Sequence, residues 1–360
     1  MKAMYIHIPF CKSICAYCDF SKMLYNKDIV KRYLKALEEE INDRYNGEEL
    51  ETVYIGGGTP SSLSPEELSK LFDILKILNL NNIKEFTFEC NINDITEQLL
   101  TILKNNKVNR ISLGIESFNK EKLKFMERNS DFNDVQEKIL MIKNYGINNI
   151  NIDLMYGIPG ETLKVLKKDL KLILKLKPTH ISTYSLILEK NTKLSINNTQ
   201  SIDEELELEM YNYIRNKLKR KKYNHYEVSN FALNSYESIH NLTYWNNEEY
   251  YGFGLGAHGY IDGIRYENTK NIDKYTDNNF VSKEEILGLK EKKENELILG
   301  FRKIKGISIE DYYEKYNSNI QDDFPIKPLL KNKDLIYKDK YIYINPDKIY
   351  VMNEILLKLI

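Results

Sequence analysis

The sequence predicts an α/β fold, a partial (β/α)6 barrel followed by a small C-terminal winged-helix-like α+β domain. Three observations carry this reading. Short β-type runs alternate with amphipathic helical runs over the first half of the chain, and alternation at this spacing builds βαβ units on a parallel sheet. Six strand candidates fit an incomplete barrel better than a closed eightfold one. Polar or glycine-rich residues fall just after several of them, at the end where such barrels carry their chemistry.

The elements follow in order. Tyr5 to Ile8 reads as a strand, then a Cys-rich loop, then a helix from about Asp28 to Asp43. Thr52 to Ile55 is a second strand that runs into Gly56-Gly57-Gly58-Thr59-Pro60. Ser64-Pro65-Glu66-Glu67 is a capping signature, with Ser64 as N-cap and Glu67 three residues on. The helix it starts ends near Leu78. Strands are expected at Glu85–Glu89, Arg110–Ile115, Asn148–Leu154 and Ile181–Leu188, with helices near 96–106, 132–145 and 161–176. A longer helix, about Asp203 to Lys221, precedes an aromatic and glycine-rich region, His225 to Tyr266, with a hairpin signal at Asp262-Gly263. Two helical runs (285–300, 308–316), strands at 335–338 and 341–344, and a last helix over about 346–359 form the C-terminal unit. The expected division is a barrel over 1–225, an aromatic and glycine-rich connecting region over 226–280, and the winged-helix-like unit over 281–360.

Composition narrows the function. The 360 residues are 42% hydrophobic and 29% charged, with a formal net charge of −1. That is the profile of a globular chain with a full core. It offers no basic excess for a nucleic-acid binder, and the C-terminal unit, at +1, has no basic stripe either. Four cysteines do not make a disulfide scaffold. The start of the chain lacks a signal-peptide pattern, and no apolar run is long enough to span a bilayer, so a cytoplasmic, non-integral protein is expected.

The densest chemical signal is Cys11, Cys15 and Cys18, a C-x3-C-x2-C pattern on a loop directly after the first strand. Fe–S clusters are normally held by four cysteines. Three on a tight loop can hold three irons of a cubane and leave the fourth open, as a catalytic zinc site leaves a coordination position open. A disulfide strands one of the three. A structural zinc on three Cys plus His7 departs from the usual separated ligand pairs. Cys90, on a separate strand, reads as a small buried hydrophobe.

The cysteine loop resembles the signature of the radical S-adenosylmethionine (SAM) superfamily. The resemblance implies a 4Fe–4S cluster on Cys11, Cys15 and Cys18. Its open iron would take the amino and carboxylate groups of SAM. Tyr17 occupies the position that is typically aromatic there, and Gly57, Gly58 and Thr59 match the family's glycine motif. Glu89, Glu116, Arg128 and Asp153, at or between successive strand ends, would converge with Tyr5 and Tyr17 on one SAM cavity. Carboxylates and one Arg suit a ligand carrying a sulfonium, an ammonium, a carboxylate and ribose hydroxyls.

Within the superfamily the chain is most similar to the oxygen-independent coproporphyrinogen III oxidase-like family, over nearly its whole length. Asp19-Phe20 after the third cysteine, and a cysteine loop that begins at residue 11, resemble the HemW-type haem chaperone branch. So does His240-Asn241-Leu242-Thr243-Tyr244-Trp245, an H-N-x-x-Y-W pattern holding the single Trp. Haem asks for an aromatic wall and an axial imidazole, so His240, Tyr244 and Trp245 are expected haem contacts. Glu116 stands where the family usually has Gln, and Ser238 where it commonly has Cys. The implied function is a haem chaperone that binds haem and hands it to an acceptor protein, membrane-bound or not, with an electron donor of flavodoxin or ferredoxin type. The alternative is radical decarboxylation of coproporphyrinogen III. A different radical SAM enzyme, such as a methyltransferase, leaves the His240–Trp245 segment unexplained.

Overall fold

Alternation within the strands organises the molecule. In the computed structural model, which describes residues 2–190 and 192–360, six strands lie parallel and in chain order: β1 (Ala3–Ile8), β2 (Thr52–Gly57), β3 (Glu85–Cys90), β4 (Arg110–Glu116), β5 (Asn149–Tyr156) and β6 (His180–Ser185). Their registers place Tyr5 beside Tyr54, Tyr54 beside Thr87 and Thr87 beside Arg110. Ser112 pairs with Asn151 and Asn151 with His180. Side chains alternate faces along a strand, so one face of the sheet is polar throughout. The other carries Ile6, Val53, Phe88, Leu113, Ile152 and Ile181, all buried beneath the helices. A closed barrel of this kind fills its interior with branched apolar residues. Here the interior is instead polar and holds a cavity.

The helices packed outside are α1 (Lys27–Arg44), α2 (Pro65–Ile74), α3 (Glu97–Asn105), α4 (Lys120–Met126), α5 (Phe132–Asn144) and α6 (Leu163–Leu176). The expected capping box at Ser64 and Glu67 is formed. A second long helix, α7 (Glu204–Arg220), follows β6.

Residues 226–280 are woven into the barrel. Strand β7 (Asn230–Ala232) adds antiparallel to β6, and strand β8 (Tyr251–Phe253) adds parallel to β1. The sheet therefore grows at both edges from a segment in which only a hairpin was expected. That hairpin, β9 (His258–Ile261) and β10 (Ile264–Asn268), forms at Asp262-Gly263, with Gly263 at φ +76°.

Two C-terminal expectations need correction. The helix expected from residue 285 begins at Leu289, because Val281–Ile286 pairs with β10 as an edge strand and Gly288 caps the helix start. The last helix divides into a 3-10 segment, Pro346–Val351, and a short α-helix, Met352–Leu356. The remaining unit packs helices around a three-stranded sheet in the winged-helix manner. Its core residues Leu297, Tyr312 and Ile342 continue the apolar cluster of the barrel exterior. Among the described residues no helix is long and apolar enough to cross a membrane.

Candidate active site: a polar barrel cavity ringed by three thiols

The cysteine loop leaves β1 and folds back on itself. Phe10–Cys11 pairs with Met23–Leu24, and Tyr25 N donates to the Cys11 carbonyl at 2.8 Å. Cys11, Cys15 and Cys18 are free thiols lining one cavity of about 610 Å³ at the C-terminal ends of the strands. Burial raises the Cys11 thiol and pushes Cys18 up to about 11. Among the described residues, no three Cys, His, Asp or Glu side chains close to the spacing that holds a single metal ion. His7 is not a fourth ligand in waiting: its Nδ1 is hydrogen-bonded to the Tyr5 hydroxyl and its Nε2 to the Ser21 carbonyl.

The glycine loop is zipped to the cysteine loop. Gly58 N donates to the Ile8 carbonyl and Thr59 N to the Phe10 carbonyl, both at 2.8 Å. A Cβ on Gly58 would sit 2.7 Å from the Pro9 carbonyl carbon, and Gly57 has φ +114° with the His7 ring beneath it. Both positions therefore demand glycine. Gly57 N donates to Glu89 Oε2, whose second oxygen accepts from the Tyr54 hydroxyl at 2.6 Å.

Glu116 ends β4 past a register shift, in a left-handed conformation (φ +65°) that costs a non-glycine residue energy. The Tyr17 hydroxyl donates to its Oε1 at 3.1 Å, while its Oε2 is buried with no partner among the described residues. Arg128 reaches in from beyond α4. It donates to the Gly114 carbonyl and, at 3.2 Å, to Cys15 Sγ, and its Nε is also orphaned. Asp153 accepts from Asn151 at 2.8 Å. Burial, with the neighbouring Glu116 and Glu89 charges, pushes its carboxyl up to about 8 against the opposing Asn151 and Ser182 bonds. Burial likewise raises Glu89.

Tyr17, Gly57, Gly58, Thr59, Glu89, Glu116, Arg128 and Asp153 thus line one cavity with the three cysteines, and Tyr5 sits beside it on β1. The donor set suits the ligands expected of it. Three carboxylates, Glu116 buried with an orphaned oxygen and Glu89 and Asp153 half-buried, favour a cationic guest such as a sulfonium with an ammonium. The sequence reading missed Arg110, Ser112, Asn151, Ser182, Tyr184 and Asn241, which line the same cavity. For the first five the signal was the every-second-residue polarity of β4 to β6, and Asn241 stood in the H-N-x-x-Y-W pattern.

The His240 segment lies at the other end of the barrel. Helix α8 (Ile239–Trp245) is docked there by the Glu85 carboxylate, which accepts from Ser238 Oγ, Ile239 N and His240 N. In this conformation both ring nitrogens of His240, the expected haem contact, are engaged. His240 is buried, with Nδ1 hydrogen-bonded to Thr52 Oγ1 at 2.9 Å and Nε2 to the Tyr244 hydroxyl at 2.7 Å. Burial, aided by the Arg110 charge, lowers its pKa to about 3. Thr52 and Glu85 stand at strand starts, so they hold the helix across the barrel floor, away from the cysteines. Trp245 packs under the Arg302 guanidinium, and its indole nitrogen is buried without a partner among the described residues.

Known proteins resemble this chain over most of its length. The model of the radical SAM superfamily matches residues 5–173. A curated relative from Lactococcus lactis subsp. lactis (strain IL1403), described as heme chaperone HemW, is 40% identical over 346 residues, 93% of this chain and 91% of its own. One of the same description from Bacillus subtilis (strain 168) is 39% identical and spans 94% of both chains. The solved structure of coproporphyrinogen III oxidase (HemN) from Escherichia coli superposes with a TM-score of 0.87 at 21% identity, covering 99% of this chain and 89% of that one.

Proposed function

The chain belongs to the heme chaperone HemW family of the radical SAM superfamily, and from that premise we propose that it binds haem and passes it to an acceptor protein. The superfamily carries a 4Fe–4S cluster and SAM. In this reading Cys11, Cys15 and Cys18 hold the cluster, and Gly57, Glu89, Glu116, Arg128 and Asp153 receive SAM, with Tyr5, Tyr17, Gly58 and Thr59 shaping the wall. When bound, a cluster held at three corners offers its fourth iron to the amino and carboxylate groups of SAM. The residues of this chain do the rest. The carboxylates balance the ligand's positive charge, and Arg128 counters them near the thiols.

The observation that carries the proposal is one continuous cavity. It runs from the three thiols to Asn241 on the His240 helix, so the cluster end and the H-N-x-x-Y-W segment share a wall. Haem contact by His240, Tyr244 and Trp245 requires release of His240 from Thr52 and Tyr244. The exposed imidazole is that of His258, which serves as the control. The acceptor and an electron donor of flavodoxin or ferredoxin type complete the reading, with a cytoplasmic location. The likeness to the oxidase structure bears on fold alone.

Anaerobic reconstitution tests it. Iron and sulfide are measured, EPR is recorded with and without SAM, and haem is titrated on the same sample, followed by transfer to an apo-haem protein. Cys11→Ala, Cys15→Ala and Cys18→Ala are expected to lose the cluster chromophore, and Cys90→Ala to keep it. Zinc in place of iron, or turnover of coproporphyrinogen III without haem binding, overturns the proposal.

A further inference from the structure

The cluster cysteines differ in what donates to their sulfurs. Arg128 Nη1 donates to Cys15 Sγ at 3.2 Å, and Thr59 Oγ1 donates to Cys11 Sγ at 3.5 Å. The Lys22 ammonium lies near enough to Cys18 and Cys11 to oppose the rise that burial gives their thiols. Among the described residues, Cys15 is the one of the three whose sulfur accepts a hydrogen bond from a cationic side chain.

The Arg128 guanidinium is held in place before any ligand arrives. Helix α4 ends in a left-handed turn at Glu127 (φ 57°), which sends the chain back toward the cavity. Nη2 donates to the Gly114 carbonyl, and a Cβ on Gly114 would lie 3.1 Å from that nitrogen, so the pocket around it is close-fitting. Arg128 and Cys15 are both half-buried, and a charge partly shielded from solvent acts more strongly than in water. Hydrogen bonds to the sulfurs and nearby charge are among the levers that set an Fe–S potential. A donor to a cysteine sulfur withdraws electron density and favours the reduced cluster, which carries one more negative charge. The direction is therefore a higher potential.

We propose that Arg128 sets the reduction potential of the cluster through Cys15 Sγ, with Thr59 as a weaker second donor through Cys11 Sγ. This rests on the reading that the three cysteines hold a 4Fe–4S cluster. It assigns Arg128 a role toward the iron in addition to its expected contact with SAM, and it makes the glycine-motif threonine a partner of the cluster.

The test is an EPR-monitored redox titration of the anaerobically reconstituted full chain, without SAM, for wild type, Arg128→Lys, Arg128→Gln and Thr59→Val. The midpoint is expected to move to more negative potential in Arg128→Gln, by a smaller step in Arg128→Lys and by the smallest in Thr59→Val, with iron and sulfide content unchanged. An unmoved midpoint at full iron content, accompanied by weaker SAM binding, confines Arg128 to SAM and overturns the inference. Absence of iron in the wild type overturns the cluster reading instead. Where the Arg128 variants fail to assemble a cluster, wild-type protein carrying 15N-arginine is reduced and examined by ENDOR. A 15N coupling to the cluster is expected, and its absence overturns the inference.

Discussion

The Tyr54 hydroxyl donates a 2.6 Å hydrogen bond to Glu89 Oε1, and the same tyrosine ring lies 5.3 Å from the His240 imidazole. One side chain on β2 therefore touches both the carboxylate that braces the glycine loop and the histidine that closes the barrel floor. Tyr54→Phe keeps the ring and removes the donor. Glu89 is then left with the Gly57 amide as its remaining partner. Loss of a hydrogen bond to a buried carboxylate costs about 1–3 kcal/mol. The variant is expected to unfold at lower urea concentration and to bind SAM more weakly, read by equilibrium unfolding and calorimetric titration. Unchanged SAM affinity would show that Glu89 needs no help from Tyr54.

Asp153 predicts a pH dependence of definite sign. Burial pushes its folded-state pKa up to about 8, well above the ordinary carboxyl value of 3.8. From about pH 4 to pH 8 the unfolded chain has lost this proton and the folded chain keeps it. The stability contribution is fully present below the unfolded value and is lost as pH rises through about 8. Asp153→Asn is expected to flatten that slope and to stabilise the ligand-free protein at pH 8. A cationic guest favours the ionised form, so SAM binding is expected to release a proton and to tighten toward pH 8 in the wild type. The variant is expected to bind weakly at every pH. Calorimetry in buffers of different ionisation enthalpy reads the proton release, and none would remove Asp153 from the ligand's surroundings.

Much of this site was legible because its chemistry is local in sequence. Three thiols within one loop, glycines after a strand and a capping box at Ser64 each depend on neighbours a few residues away. The strand ends that carry Glu89, Glu116 and Asp153 were found from the same alternation that defines the strands. What escaped was long-range pairing. Tyr251–Phe253 joins β1 across more than half the chain, and no local pattern states which edge it will seek. The floor residues Arg110, Ser112 and Asn151 were readable as inward-facing positions, but polarity on a strand more often marks a solvated face than a cavity. The lock on His240 was hidden for a different reason. Thr52, Glu85 and Tyr244 hold it, and only the fold brings the first two to it.

That lock makes a prediction about haem. Thr52→Val removes the partner of His240 Nδ1 and keeps the side-chain shape. Removing His240 itself, as in His240→Ala, removes the expected haem contact. Soret titration is expected to show haem binding at least as tight in Thr52→Val as in the wild type, and binding lost in His240→Ala. His258→Ala is expected to bind like the wild type. Loss in His258→Ala with retention in His240→Ala would move the haem contact to the exposed His258 on the hairpin β9–β10.

Behind the cavity, Lys122 is buried with two acids. Its Nζ donates to Glu161 at 2.7 Å, to Asp169 at 3.2 Å and to the Met155 carbonyl at 2.9 Å. Asp169 in turn accepts from Ser117 Oγ and Phe118 N, the residues that follow Glu116. Burial raises Glu161, and Lys122 opposes that rise. Lys122→Met leaves two carboxylates without their cation, and breaking a buried pair from one side costs about 3–5 kcal/mol. The variant is expected to unfold well below the wild-type midpoint in urea. Replacing all three, as Lys122→Met with Glu161→Gln and Asp169→Asn, removes the stranded charges and is expected to recover part of that loss. Recovery of stability with weakened SAM binding would mark the network as the support that fixes Glu116 in its left-handed turn. A triple variant as unstable as the single one would mean that packing around Met155, and not charge, holds this wall.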